Sequence, residues 1–198
     1  MANNISYGIL ILAAGNSSRL GEPKQLLTYR NISLVQNAVN ESKKIPGAVV
    51  GVVTGAWQNI VENELAGSDT HIFFNRDWET GMASSIKTGL NGLCKLYPAP
   101  GAVIIVVCDQ PFLTDAILSS LIQAHINSGK GIVASSYDNT VGTPVLFSDQ
   151  YFPMLLNLQG QEGAKKIILH HPDDCASVDF PEGSIDIDTS EDYDRLLS

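Results

Sequence analysis

Five apolar runs, most of them too uniform to alternate, set the architecture of this chain. Tyr7–Ala13, Ala48–Thr54, Ile72–Phe74, Ala102–Val107 and Gly131–Ser135 are the strand candidates, several of them Val- and Ile-rich on both faces. A strand apolar on both faces needs cover on both faces, which helices above and below a mostly parallel sheet provide. Helix-patterned stretches separate the runs: Leu34–Lys43, Gln58–Leu65, Ser84–Leu93, Thr114–Asn127 and Gly163–His170. Thr114 and Asp115 mark a helix start and Gly129 a stop. Strand, helix, strand repeated with right-handed crossovers predicts an α/β fold: a doubly wound, mostly parallel sheet with helices on both faces. Val145–Phe147 and Cys175–Asp179 add late strands, with room for one to run antiparallel. No repeat, low-complexity segment or long linker divides the 198 residues, so one domain over 1–198 is expected.

Composition narrows the classes. Apolar residues make up 44% and charged residues 17%, a globular balance. No apolar run approaches the roughly 18 residues that span a bilayer, so no membrane partner is expected. Met1–Ser6 carries no basic region ahead of the apolar stretch, which argues against a secretory signal. Cys94, Cys108 and Cys175 are widely spaced, without a Cys-x-x-Cys pair, and the four histidines show no ligand spacing. That pattern fits neither a disulfide framework nor structural zinc, and it suits a reducing cytoplasm. The net charge of −9 is concentrated after Pro172, where nine carboxylates face one base, Arg195. Without a basic stripe, the chain is a poor nucleic-acid binder.

Where the first strand ends, Leu12-Ala-Ala-Gly-Asn-Ser-Ser-Arg-Leu-Gly-Glu-Pro-Lys24 breaks into small residues with one arginine and one lysine. Small residues let the backbone approach a ligand and aim N–H groups at anionic oxygens. Arg19 and Lys24 add fixed positive charge, so the loop can cradle a triphosphate. Its spacing matches neither Gly-x-Gly-x-x-Gly nor the Gly-x4-Gly-Lys-Ser/Thr loop. On residue types alone, an ordinary strand-to-helix connection with two solvated bases remains open.

Three further segments carry chemistry. Ala102–Asp109 ends a buried strand in a carboxylate, a place to hold Mg2+ together with substrate phosphates; the spacing also allows Asp109 to cap a helix beginning near Leu113. Asp186-Ile-Asp188 alternates as a short strand, both carboxylates on one face, before Thr189-Ser-Glu-Asp opens a last helix. Gly81–Gly89 enters a helix through Ser84 and Ser85, which suits a base edge, a phosphate or a plain serine cap. Asn75, Arg76 and Trp78, just before it, are weaker candidates. The loops after Ala13, Val107 and Ile187 would open together at the carboxyl ends of the strands.

Leu-Ala-Ala-Gly-x-Ser-x-Arg-Leu-Gly-x-x-Lys resembles the opening motif of nucleotidyltransferases of the molybdenum cofactor cytidylyltransferase group, within the molybdopterin-guanine dinucleotide synthase-like NTP transferase superfamily. Gly81-Met-Ala-Ser-Ser-Ile-Lys-Thr-Gly-Leu90, Val107-Cys-Asp-Gln-Pro-Phe-Leu113, Gly142-Thr-Pro-Val-Leu-Phe147 and Asp186-Ile-Asp-Thr-Ser-Glu-Asp192 are similar to later motifs of that group, in its order. The resemblance implies a Rossmann-like nucleotidyltransferase fold, with a nucleotide half over about residues 1–110 and an acceptor half over about 111–198. It implies transfer of CMP from CTP to molybdopterin with release of pyrophosphate, Mg2+ as cofactor, and a molybdoenzyme as client. Arg19, Lys24 and Asp109 are then catalytic, and Asp109 and Asp188 hold the metal. Leu12, Ala13, Ala14, Gly15 and Ser17 join Arg19, Lys24, Gly81, Ser84 and Ser85 around the nucleotide. Gln110, Pro111, Gly142, Thr143, Pro144, Gly163 and Lys165 face the acceptor. Ala-Ala-Gly, where guanylyl relatives tend to read Ala-Gly-Gly, points to cytidine.

Two departures bear on the acceptor. The chain has Gly142-Thr-Pro144 where relatives often read Gly-His-Pro or Gly-Asn-Pro, and Gly160-Gln-Glu-Gly-Ala-Lys165 where they commonly read Gly-Asp-x-Gly-Ala-Arg. Both are expected to face the acceptor, and the second changes charge and bidentate capacity. Two other classes stand beside this reading: a cytidylyltransferase for a sugar- or polyol-phosphate such as methylerythritol phosphate, and a non-catalytic cofactor delivery factor. A dinucleotide-binding oxidoreductase is disfavoured because its glycine fingerprint is missing.

Overall fold

The computed structural model describes residues 6–96 and 100–198. Residues 1–5, on which the signal-peptide reading rests, lie outside that description. A sheet of seven strands forms the centre, in the order β5-β4-β1-β6-β8-β7-β9. These are β1 (Tyr7–Leu12), β4 (Val49–Thr54), β5 (His71–Phe74), β6 (Ala102–Val107), β7 (Ile132–Tyr137), β8 (Thr140–Ser148) and β9 (Cys175–Asp179). β2 (Thr28–Tyr29) and β3 (Ile32–Ser33) make a separate small hairpin.

β1 pairs in parallel with β4 and with β6, placing Leu12 beside Val53 and Val107. β8 alone breaks the parallel run, pairing antiparallel with both β6 and β7. The cause is local: Asp138 and Asn139, both at positive φ, close the two-residue turn that sends β8 straight back along β7. Sequence patterning places Val145–Phe147 in a late strand, and the hairpin extends it to nine residues. The sheet continues across the border between the two expected halves, because β8 sits directly on β6.

Alternation splits the core in two. Ile9, Ile11, Val52, Ile104 and Val106 face α1 (Leu34–Lys43) and α4 (Asp115–Ser128), meeting Val35, Val39, Leu118 and Leu121. Leu10, Val53, Val103, Ile105 and Phe147 face α3 (Met82–Leu96), α5 (Phe152–Leu156) and α6 (Ala164–His170). α2 (Gln58–Glu64) adds Val61 to the first layer. Thr114 takes the N-cap position of α4, but its side chain caps nothing; Glu41 Oε2 accepts from the Asp115 amide at 2.9 Å instead. Gly129 stops α4 in the left-handed region, as its sequence position predicts.

The expected strand at Asp186–Asp188 is absent. The segment joins no ladder; the Ile187 amide donates to the Asp109 carbonyl at 3.3 Å and the Asp188 amide to Asp192 Oδ2 at 3.2 Å. Ile187 is buried against Leu27 and Leu34, which still turns Asp186 and Asp188 away from the core. Thr189 then caps α7 (Ser190–Leu197) in a reciprocal capping box with Asp192.

Candidate active site

The loop after β1 is shaped from within by Gln25, a buried side chain that the sequence patterns do not single out. Its amide donates to the carbonyls of Ala13 at 3.0 Å and Gly15 at 2.8 Å. The Ser17 hydroxyl accepts from the Lys24 amide at 3.1 Å, and the Ser17 carbonyl accepts from the amides of Leu20 and Gly21. Ser17 therefore folds the loop, at a φ of 53°. A lone Gln ahead of two leucines looks like a polar face, so only the closed loop reveals its task.

That loop aims Lys24 at the end of β6. Lys24 Nζ donates to Asp109 Oδ2 at 2.6 Å and to Asp188 Oδ1 at 3.0 Å, and Arg19 Nη2 pairs with Asp188 Oδ2 at 2.8 Å. Lys24 and Asp109 are mostly enclosed, their side chains 18% and 17% exposed, while Arg19 is 69% exposed. Burial alone would lower the Lys24 pKa. The Asp109 charge, with hydrogen bonds to Asp109 and Asp188, outweighs it and holds the ammonium well above its ordinary value. Asp186 stands close enough for its carboxyl to be pushed up, first by burial and then by the charges of Asp109 and Asp188. Asp109 is no helix cap: α4 begins only at Asp115.

A cavity of about 290 Å3 opens over this cluster. Of the residues the resemblance sets around the nucleotide, Leu12, Ala14, Gly15, Lys24, Gly81 and Ser85 line the cavity, together with Asp109. Ala13, Ser17, Arg19 and Ser84 do not: Ala13 is buried, Ser17 shapes the loop, and Arg19 reaches Asp188 from the solvent side. Ser84 lies within the first turn of α3, its hydroxyl donating to the Gly81 carbonyl at 2.8 Å and accepting from Asn75 at 2.7 Å, so it braces the turn without capping the helix. Asn75, buried, also donates to Ser85 Oγ at 3.0 Å and so sets the serine that faces the cavity.

Gln161 lines this same cavity, beside Gly81 and Met82. The Ala83 amide donates to the Gly160 carbonyl at 3.1 Å and ties the 157–163 loop onto the start of α3. A second, mostly apolar cavity of about 180 Å3 shares Leu12, Met82 and Val107 with the first. Of the residues the resemblance sets toward the acceptor, Gly142, Thr143, Gly163 and Lys165 line this second cavity, together with Tyr137, Val141 and Ile168. Gln110, Pro111 and Pro144 line neither cavity. Gln110 is buried, and its amide braces the carbonyls of Thr143 at 3.0 Å and Gly183 at 2.8 Å. The Pro144 carbonyl accepts from Ser135 Oγ at 2.7 Å.

Among the described residues no group of three or more His, Cys, Asp or Glu is arranged around one metal position. Two carboxylates suffice for a hard divalent ion that also takes substrate phosphates. Asp109, which lines the first cavity, keeps one carboxylate oxygen, Oδ1, buried without a hydrogen-bond partner. The residues present therefore fit such an ion.

The sequence model of the MobA-like NTP transferase domain matches residues 9–175. The chain belongs to this family. Its MobA-like domain is that of a nucleotidyltransferase, with a nucleoside triphosphate as donor and a phosphorylated acceptor. The chain is 28% identical over 202 residues to nicotine blue oxidoreductase of Paenarthrobacter nicotinovorans, covering 95% of each protein. The crystal structure of Rv0371c from Mycobacterium tuberculosis H37Rv superposes with a TM-score of 0.84 at 28% identity, covering 100% of this chain and 99% of that one. Rv0371c is also described as a complex with manganese. The molybdopterin-guanine dinucleotide biosynthesis protein A of Archaeoglobus fulgidus shares the fold, with a TM-score of 0.67 at 13% identity and 96% of each chain covered.

Proposed function

We propose that this MobA-like domain transfers CMP from CTP to molybdopterin and releases pyrophosphate. The observation that carries the nucleotidyl-transfer chemistry is the Lys24–Asp109–Asp188 cluster under a cavity walled by the β1 loop and the start of α3. The choice of molybdopterin rests on the motif resemblance as a whole, and the choice of CTP on Ala13-Ala14-Gly15 within it. The apolar second cavity, which shares Leu12, Met82 and Val107 as lining with the first, suits the flat ring of a pterin beside the nucleotide.

An acceptor phosphate is already ionised near neutral pH, so the reaction needs no general base, and none of the histidines lines either cavity. Catalysis is then mainly positioning and charge neutralisation. Lys24 would neutralise the triphosphate and the departing pyrophosphate from within, and Arg19 from the rim. Asp109 and Asp188 would hold Mg2+, which supplies Lewis-acid neutralisation of the α-phosphate charge. Ser85, set by Asn75, offers its hydroxyl to the nucleotide. The apolar wall formed by Tyr137, Val141 and Ile168 would orient the acceptor ring and exclude water. Three free cysteines without a disulfide fit a reducing compartment, and we place the protein in the cytoplasm.

Incubation with CTP, Mg2+ and molybdopterin, read by mass spectrometry, should give the cytidine dinucleotide form of the cofactor. Unchanged molybdopterin after prolonged incubation contradicts the proposal. The oxidoreductase name of the full-length relative supports a second reading, a redox step on a flat apolar compound in the second cavity. Oxidation of a nicotinamide nucleotide without any pyrophosphate would select it.

A further inference from the structure

We propose that Lys24 is the built-in counter-ion of the Asp109–Asp188 pair, so that a divalent cation enters only as a nucleoside triphosphate draws the lysine away. This rests on the nucleotidyl-transfer reading of the site and deepens it, by fixing how donor and metal depend on each other.

The ammonium lies between the two carboxylates, at 2.6 Å from Asp109 and 3.0 Å from Asp188, where a shared cation would be held. Arg19 occupies the other oxygen of Asp188 at 2.8 Å, so that carboxylate is engaged on both oxygens. Among the described residues, Asp109 Oδ1 is the one buried carboxylate oxygen left without a partner. A divalent ion bound there would sit within a few ångströms of the ammonium, and like charges that close in an enclosed site repel strongly. Metal and lysine therefore compete for the pair.

A triphosphate changes the balance. Lys24 lines the same cavity as Gly15 and Ser85, and its four-carbon stem lets the ammonium swing without moving the loop. Phosphate oxygens in the cavity give it a new partner, which frees Asp109 Oδ2 and Asp188 Oδ1 together. Linkage is reciprocal, so each ligand strengthens the other by one factor. Without nucleotide, the lysine keeps the carboxylates paired and the metal out.

Mn2+ binding followed by electron paramagnetic resonance, without nucleotide, tests this apart from turnover. Lys24→Met should bind Mn2+ about 10-fold or more tightly than the wild-type chain, within the usual range of coupling between sites. That gain should vanish in Lys24→Met/Asp188→Asn. Equal affinity in wild type and Lys24→Met, or a gain that survives the double substitution, overturns the proposal. If Lys24→Met does not fold, the wild-type chain decides. Together with the α,β-methylene analogue of CTP it should bind Mn2+ about 10-fold or more tightly than protein or analogue alone; Mn2+ affinity no greater than the analogue's own overturns it. Pyrophosphate release from CTP reports on the function separately: intact release with a flat Mn2+ comparison sinks only this inference.

Discussion

Gly81→Ala tests whether the site is assembled from two distant segments. Gly81 has φ 113° and ψ −178°, a backbone region that is essentially reserved for glycine. A β-carbon there would overlap the Gly160 carbonyl and come within 2.9 Å of Gln161 Cδ. The strained backbone costs about 1–3 kcal/mol. Pushing Gly160 away breaks its bond to the Ala83 amide, for about 1 kcal/mol more. The loss of roughly 2–4 kcal/mol should lower Tm by about 4–15 °C for a domain of this size, read by near-ultraviolet circular dichroism. Because Gln161 would leave the first cavity, KM for the nucleoside triphosphate should rise in the same variant. Gly15→Ala is the control: nothing lies within 4 Å of a β-carbon built there, so Tm should hold. A Gly81→Ala protein melting within about 2 °C of wild type, with unchanged KM, would refute the reasoning.

Three further outcomes follow from the geometry. Asp109→Asn keeps the shape of the side chain but removes its charge, and kcat should fall by about 100-fold or more while the fold survives; near-normal turnover removes Asp109 from the chemistry. Val141→Lys places a charge in the apolar second cavity, so KM for the acceptor should rise about 10-fold or more while KM for the nucleotide stays put; parallel changes in both would contradict a separate acceptor wall. Asp174 has its pKa held below the ordinary value by the Gly131 amide at 3.0 Å and the Tyr151 hydroxyl at 2.7 Å. A depressed carboxylate stabilises the fold above its unfolded pKa, so Asp174→Asn should be less stable at neutral pH. The gap should close in denaturant titrations as pH falls below about 4, and a gap that widens in acid would be wrong in sign.

The sequence made the sheet legible because its strands are apolar on both faces, and it made Asp109 legible because it stands just past the carboxyl end of a strand that patterning locates; Lys24, which opens a short turn well beyond β1, is marked by its place as a base in the small-residue loop. Gln25 is out of reach of sequence patterns, and Asn75 stands only as a weaker candidate beside the Gly81 segment. Both are buried polar braces whose partners, the carbonyls of Ala13 and Gly15 for one and the hydroxyls of Ser84 and Ser85 for the other, exist only once a loop has closed. The family resemblance sets the Gly160–Lys165 segment toward the acceptor and singles out Gly163 and Lys165 in it. Docking of Gly160 on Ala83, across about eighty residues of sequence, brings Gln161 to the cavity that Lys24 and Asp109 line. Asp186–Asp188 has the alternation of a strand but no neighbour to pair with, so the pattern places its side chains correctly and its backbone wrongly.

Nucleotidyl transfer is tested most directly by pyrophosphate release, measured with Mg2+ and each of the four nucleoside triphosphates, with and without molybdopterin, for the wild-type chain and Asp109→Asn. The geometry and motifs predict release from CTP that requires molybdopterin and disappears in Asp109→Asn. Release that is absent with every triphosphate, or that persists unchanged in Asp109→Asn, would contradict the account.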